Sequence, residues 1–141
     1  KIADEILKLE KPLVCVWSGQ QLRQGNFDID HCFPFAAWPC ADLWNLLPSD
    51  RKINQKEKRD KLVSAKSLDR AKERMLEWWH MAFLEESEPN LQRRFLSEAA
   101  AALPIQNAES YSNVSSAIFN GVAIKRATLK SNLQLDDWDC K

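Results

Sequence analysis

The sequence predicts an α+β protein: a core built from a short β-hairpin and one helix, followed by a mainly helical C-terminal extension. Three observations predict it. Apolar and charged residues alternate with period two from Phe27 to Cys32, and a serine followed by a dense basic run marks a helix over about 49–62. Leu68, Ala71, Met75, Trp78, Trp79, Ala82 and Phe83 then recur every three to four residues as one broad apolar stripe.

Taken in order, Ile2, Ile6, Leu7 and Leu9 have near-helical spacing and Pro12 stops them, so residues 1–12 read as a short helix that covers the sheet. Leu13–Trp17 is rich in β-branched and aromatic residues, with turn signals at Ser18-Gly19 and Gly25-Asn26. Paired with Phe27–Cys32 it predicts a two-stranded hairpin whose second strand ends before Pro34. Residues 33–44 lack a period and read as an ordered loop packed by Phe33, Phe35, Trp38 and Trp44. Ser49 is the expected N-cap of a helix running to about Leu62, with Ile53 and Leu62 facing the hairpin and the Lys/Arg residues facing out. Ser67 is the expected cap of a second helix, and Pro89 opens a third that reaches about Ala102 and is closed by Pro104. Asn120-Gly121 reads as a hairpin turn or a helix C-cap, and Asp136, Asp137 and Asp139 have the charge to dock on the basic helix. The expected organisation is therefore an N-terminal helix (1–12), a core (13–62) and a helical extension (63–141).

A chain of 141 residues with 45% hydrophobic and 28% charged residues is an ordinary globular composition, which argues against disorder. No apolar run approaches the roughly 20 residues that span a bilayer, and no export signal is visible. Cys15, Cys32, Cys40 and Cys140 are too sparse for a disulfide scaffold, so a reducing, cytoplasmic setting is expected. The chain opens on Lys1 rather than Met, which leaves room for a neighbouring domain or subunit. Net charge is zero but unevenly spread. Residues 1–50 hold four basic and seven acidic side chains, 51–74 ten and four, and 75–141 six and nine.

The residues that carry chemistry crowd into one stretch: Asp30-His31-Cys32-Phe33-Pro34, Asn45-Leu46-Leu47-Pro48 and Asn54-Gln55-Lys56-Glu57-Lys58. Hydrolysis of a phosphodiester needs oxygen ligands that hold a divalent metal, and a base that titrates near neutral pH. An Asp-His pair at a strand end supplies one of each. An imidazole ordinarily titrates near about 6.5, so activity is expected to fall on acidification.

Asp-His followed by Asn fifteen and twenty-four residues after Asp30 resembles the HNH, or ββα-metal, nuclease family in its His-Asn-Asn form, with spacing close to that of the HNH domain of CRISPR effector nucleases. The resemblance covers residues 13–62. It implies that Asp30 is a metal ligand, His31 the general base, Asn45 a brace for the loop and Asn54 a second metal ligand carried on a helix. The implied ion is one Mg²⁺ or Mn²⁺, since an all-oxygen shell suits hard cations. Where many members hold a structural zinc between paired cysteines, this chain has Ser18 opposite Cys15, and Asp50 and Ile53 at the second knuckle, so no structural zinc is expected.

DNA is the expected partner, and no residue excludes an RNA target. Arg51, Lys52, Lys56, Lys58, Arg59 and Lys61 surround Asn54, where a phosphate backbone would need positive charge. One centre cuts a duplex fully only as a homodimer or by two nicks. The alternative is a non-catalytic nucleic-acid-binding or scaffolding domain that kept the basic helix. His80 lies in the apolar stripe without a spaced partner and reads as a structural or surface histidine, and Trp78 and Trp79 read as core or interface residues.

Overall fold

The alternating stretch Phe27–His31 makes a strand, β1, but its partner is β2 (Leu46–Asp50) rather than Leu13–Trp17. In the computed structural model, which describes residues 13–23, 25–85, 89–105 and 113–140, the two run antiparallel with Ile29 opposite Pro48 and Asp30 opposite Leu47. Pro48 disguises β2 in the sequence, because proline lacks the N–H that a ladder uses. It fits because main-chain groups at alternate positions point away from the partner strand, and the Pro48 carbonyl accepts a bond from Val16 N–H (3.1 Å) on the far side. Residues 13–22 close on themselves instead. Val14 bridges Gln21, Leu22 N–H bonds Leu13 O, and Gly19 turns the chain at φ 77°. The expected helix at 1–12 lies outside the described residues.

The helix after β2, α1 (51–58), is capped by Asp50, whose Oδ1 accepts the N–H groups of Lys52 (2.9 Å) and Ile53 (3.3 Å). Ser49, the expected cap, is a fully buried strand residue. Within α1, Ile53–Lys58 winds as a π-helix, with Arg59 N–H bonded to Asn54 O (3.0 Å), and Arg59 ends it at φ 50°. The helix therefore stops short of Leu62, which begins β3 (Leu62–Val63). β3 pairs in parallel with β4 (Asp137–Trp138), so the acidic tail docks just past α1 as a strand. Its charge is met by α4 (Val114–Leu133) rather than by the basic helix: Asp137 lies 3.0 Å from Arg126 and 3.3 Å from Lys130.

Ser64, not Ser67, caps α2 (Ala65–Trp79), accepting Ser67 N–H at 3.1 Å, while Ser67 Oγ accepts Cys140 N–H at 2.9 Å. A π-turn, His80–Leu84, continues the helix, and all seven stripe residues are buried. α3 (Pro89–Ala102) begins at the expected proline. Asn113 caps α4 through Ser116 N–H (2.9 Å). Asn120-Gly121 lies inside α4, neither turn nor C-cap, and Gly121 permits a close approach: a Cβ there would stand 3.1 Å from Leu103 Cβ.

Trp79 packs on Phe95 (5.6 Å between ring centres) and Phe95 stacks on Phe83 (5.4 Å). Phe33 and Trp44 are buried in the loop between the strands, but Phe35 is 68% exposed and does not pack it. The fold is mixed α and β, with two two-stranded sheets among the described residues and one apolar cluster running through both halves. No helix among those residues is long and apolar enough to cross a membrane.

Candidate functional site

Side chains alternate along a strand, so Asp28 and Asp30 share one face of β1 while Phe27, Ile29 and His31 take the other. α1 lies on the Asp28–Asp30 face, and each carboxylate meets its own helix residue there. Asp28 accepts Asn54 Nδ2 (3.0 Å), Gln55 Nε2 (3.0 Å) and Arg51 Nε (3.1 Å). Burial pushes its carboxyl pKa up, yet the bonds from Asn54, Arg51 and Gln55 outweigh that and hold it below the ordinary 3.8.

Asp30 is 4% exposed. Its Oδ2 accepts Trp17 Nε1 at 3.0 Å and lies 3.4 Å from Lys58 Nζ. Asn54, expected to share an ion with Asp30, is therefore bonded to Asp28, and no hydrogen bond joins Asn54 to Asp30.

His31 is the last residue of β1, half-buried, and its carbonyl accepts Lys58 Nζ at 2.6 Å. Its imidazole makes no hydrogen bond or ion pair with Asp30, Asn45 or Asn54. Asn45 is fully buried and bonds Phe33 in both directions, accepting its N–H (2.8 Å) and donating to its carbonyl (3.1 Å). With Cys32 N–H on Asn45 O (2.8 Å), these bonds draw the two ends of the loop together directly after His31. α3 steadies the loop from outside, since Glu98 accepts Leu43 N–H at 2.8 Å and Arg94 donates to Ala41 O at 3.3 Å. Burial pushes the Cys32 thiol up to about 12, so it stays protonated behind the site.

Of the six basic residues expected to meet phosphate, Arg51, Lys52, Lys56, Arg59 and Lys61 are exposed. Lys58 is fully buried and cannot reach a backbone outside, which corrects its assignment to the nucleic-acid face. The extra residue taken up by the π-winding and the interior charge of Asp30 together turn it inward. Sequence reading also passed over Asp28 and Trp17. Asp28 was signalled by its two-residue spacing from Asp30, whereas nothing local announces that Trp17 bonds a carboxylate thirteen residues away.

Scans of family models, of curated proteins and of solved structures found no match for this chain. The site thus stands on its own chemistry. Asp28 and Asp30 put two carboxylates on one strand face with the Asn54 amide against Asp28, oxygen donors of the kind hard cations take, while among the described residues no three His, Cys, Asp or Glu side chains group to hold an ion. Asn54 turns its nitrogen toward Asp28, and a half-turn of the amide would present its oxygen.

Proposed function

We propose that this chain is a metal-dependent endonuclease of the HNH kind that hydrolyses phosphodiester bonds of DNA. One observation carries the reading: a strand–loop–strand–helix unit ends its first strand in Asp30-His31, ties its loop with Asn45 and lays Asn54 against that strand's carboxylate face. The sequence spacing that resembles the family and this arrangement both support it.

A bound Mg²⁺ or Mn²⁺ would be held by Asp30 and Asn54, with Asp28 beside them, and would supply Lewis-acid stabilisation of charge on the phosphate and leaving oxygens. His31 accepts the proton of the attacking water. Because β1 ends at His31, a phosphate seated at that end meets groups from both strand faces. Asn45 keeps the chain after His31 in one place, and the exposed Lys52, Lys56, Arg59 and Lys61 hold the flanking backbone.

A non-catalytic nucleic-acid-binding or scaffolding domain is the second reading, and the pairing of Asp30 with Lys58 is the observation that favours it. Plasmid cleavage separates the two. Wild type and His31→Ala are compared in EDTA, Mg²⁺, Mn²⁺ and Zn²⁺, with nicked and linear products scored. Cleavage in Mg²⁺ or Mn²⁺ should fall about 10²–10⁴-fold in the variant while DNA binding persists. A fully active His31→Ala protein removes His31 from the mechanism, and binding without cleavage in every lane supports the second reading.

A further inference from the structure

Lys58 has no exposed surface, which for a lysine demands interior partners. It has three. Nζ donates to His31 O at 2.6 Å, faces Asp30 Oδ2 at 3.4 Å and lies 5.6 Å from the centre of the Trp17 ring, whose Nε1 bonds the same carboxylate oxygen. One ammonium thus touches the carboxylate expected to hold the ion and the main chain of the expected base.

We propose that Lys58 is a positioning residue and built-in cation: it neutralises Asp30 when no divalent ion is present and pins the end of β1 through the His31 carbonyl. The inference rests on the nuclease reading for the ion that Asp30 receives. An ion arriving at Asp30 meets a fixed positive charge beside it, so the wild-type protein folds without metal and holds metal weakly. Without Lys58, Asp30 becomes a buried carboxylate whose remaining donor is Trp17 Nε1, and folding then draws on the ion.

Melting of the wild type, Lys58→Met and the Asp30→Asn/Lys58→Met double variant, in EDTA and in Mn²⁺, tests this. Lys58→Met should melt lowest in EDTA, and Mn²⁺ should raise its Tm at least about twice as far as it raises the wild type's. Titration calorimetry should give Lys58→Met about tenfold tighter Mn²⁺ binding. The double variant should recover much of the lost Tm in EDTA, because both buried charges are gone, and gain nothing extra from Mn²⁺. If Lys58→Met does not fold in EDTA, refolding on Mn²⁺ addition is the expected result and failure to refold overturns the proposal. Equal Mn²⁺ shifts in wild type and Lys58→Met, or a double variant melting as low as Lys58→Met, also overturn it. Wild-type plasmid cleavage run in parallel keeps the two ideas apart: cleavage without the differential shift removes only the role of Lys58, and the shift without cleavage removes only the nuclease reading.

Discussion

Between residues 30 and 58 the interior mixes Cys32, Phe33, Trp44 and Leu47 with four buried polar or charged residues, Asp30, Asn45, Ser49 and Lys58, none more than 4% exposed. From α2 through the π-turn to α3 the interior is, apart from Ser67 in the first turn, apolar: Ala71, Met75, Trp79, Phe83, Phe95 and Ala99. Apolar burial has no direction, so the helical half gains stability in proportion to the surface it hides. The buried polar groups around β1 gain little net stability from each bond and lose much when one partner is missing. Natural chains keep such interiors where a geometry has to be held, and the residues held here are Asp30, His31 and the loop after them.

The sharpest way to test that contrast is to damage each half once. Trp79→Ala removes the ring that Phe95 packs on and should cost about 3–5 kcal/mol of stability, read by denaturant unfolding. Any loss of activity it causes should follow the unfolded fraction alone. Asn45→Ala leaves both main-chain groups of Phe33 buried without partners and should cost about 2–3 kcal/mol. It should also lower cleavage at temperatures where the variant is still folded. Lost cleavage with unchanged melting would instead make Asn45 a direct participant at the ion.

The smallest effect concerns Asp28. Its carboxyl is held below the ordinary 3.8, so the ionised form adds stability that is fully present above that value and is lost as pH falls through the lower folded value. Asp28→Asn should therefore be less stable than wild type near pH 7, and the gap should close below about pH 4. A gap that stays constant across a pH series of melts would show that Asn54, Arg51 and Gln55 do not depend on its charge.

What could be read from the sequence divides along the same line. The stripe from Leu68 to Phe83 and the start of α3 at Pro89 follow from periodicity and from a rigid φ, both local properties. The sequence points β1 to the wrong partner because the nearer apolar run, Leu13–Trp17, outranks a strand that contains Pro48. The caps were displaced by one residue to Asp50 and by three to Ser64, since several side chains in a row can accept the same N–H groups and tertiary packing chooses among them. Lys58 facing inward was hidden altogether. A lysine in a basic run reads as solvated, and only the π-winding and the position of Asp30 reverse that.

The parallel pairing of Leu62 with Asp137 and of Val63 with Trp138 has a consequence for portability. Trp138 sets its ring edge-on to Trp17 at 5.9 Å, and Trp17 in turn bonds Asp30. Residues far along the chain thus form the rear wall of a centre whose proposed ion, base and phosphate residues all lie between 28 and 61. A fragment cut at residue 62 would carry each of those residues and none of that wall. The segment is accordingly not a cassette that can be lifted into another scaffold, and its assembly waits on a long-range closure rather than on local folding.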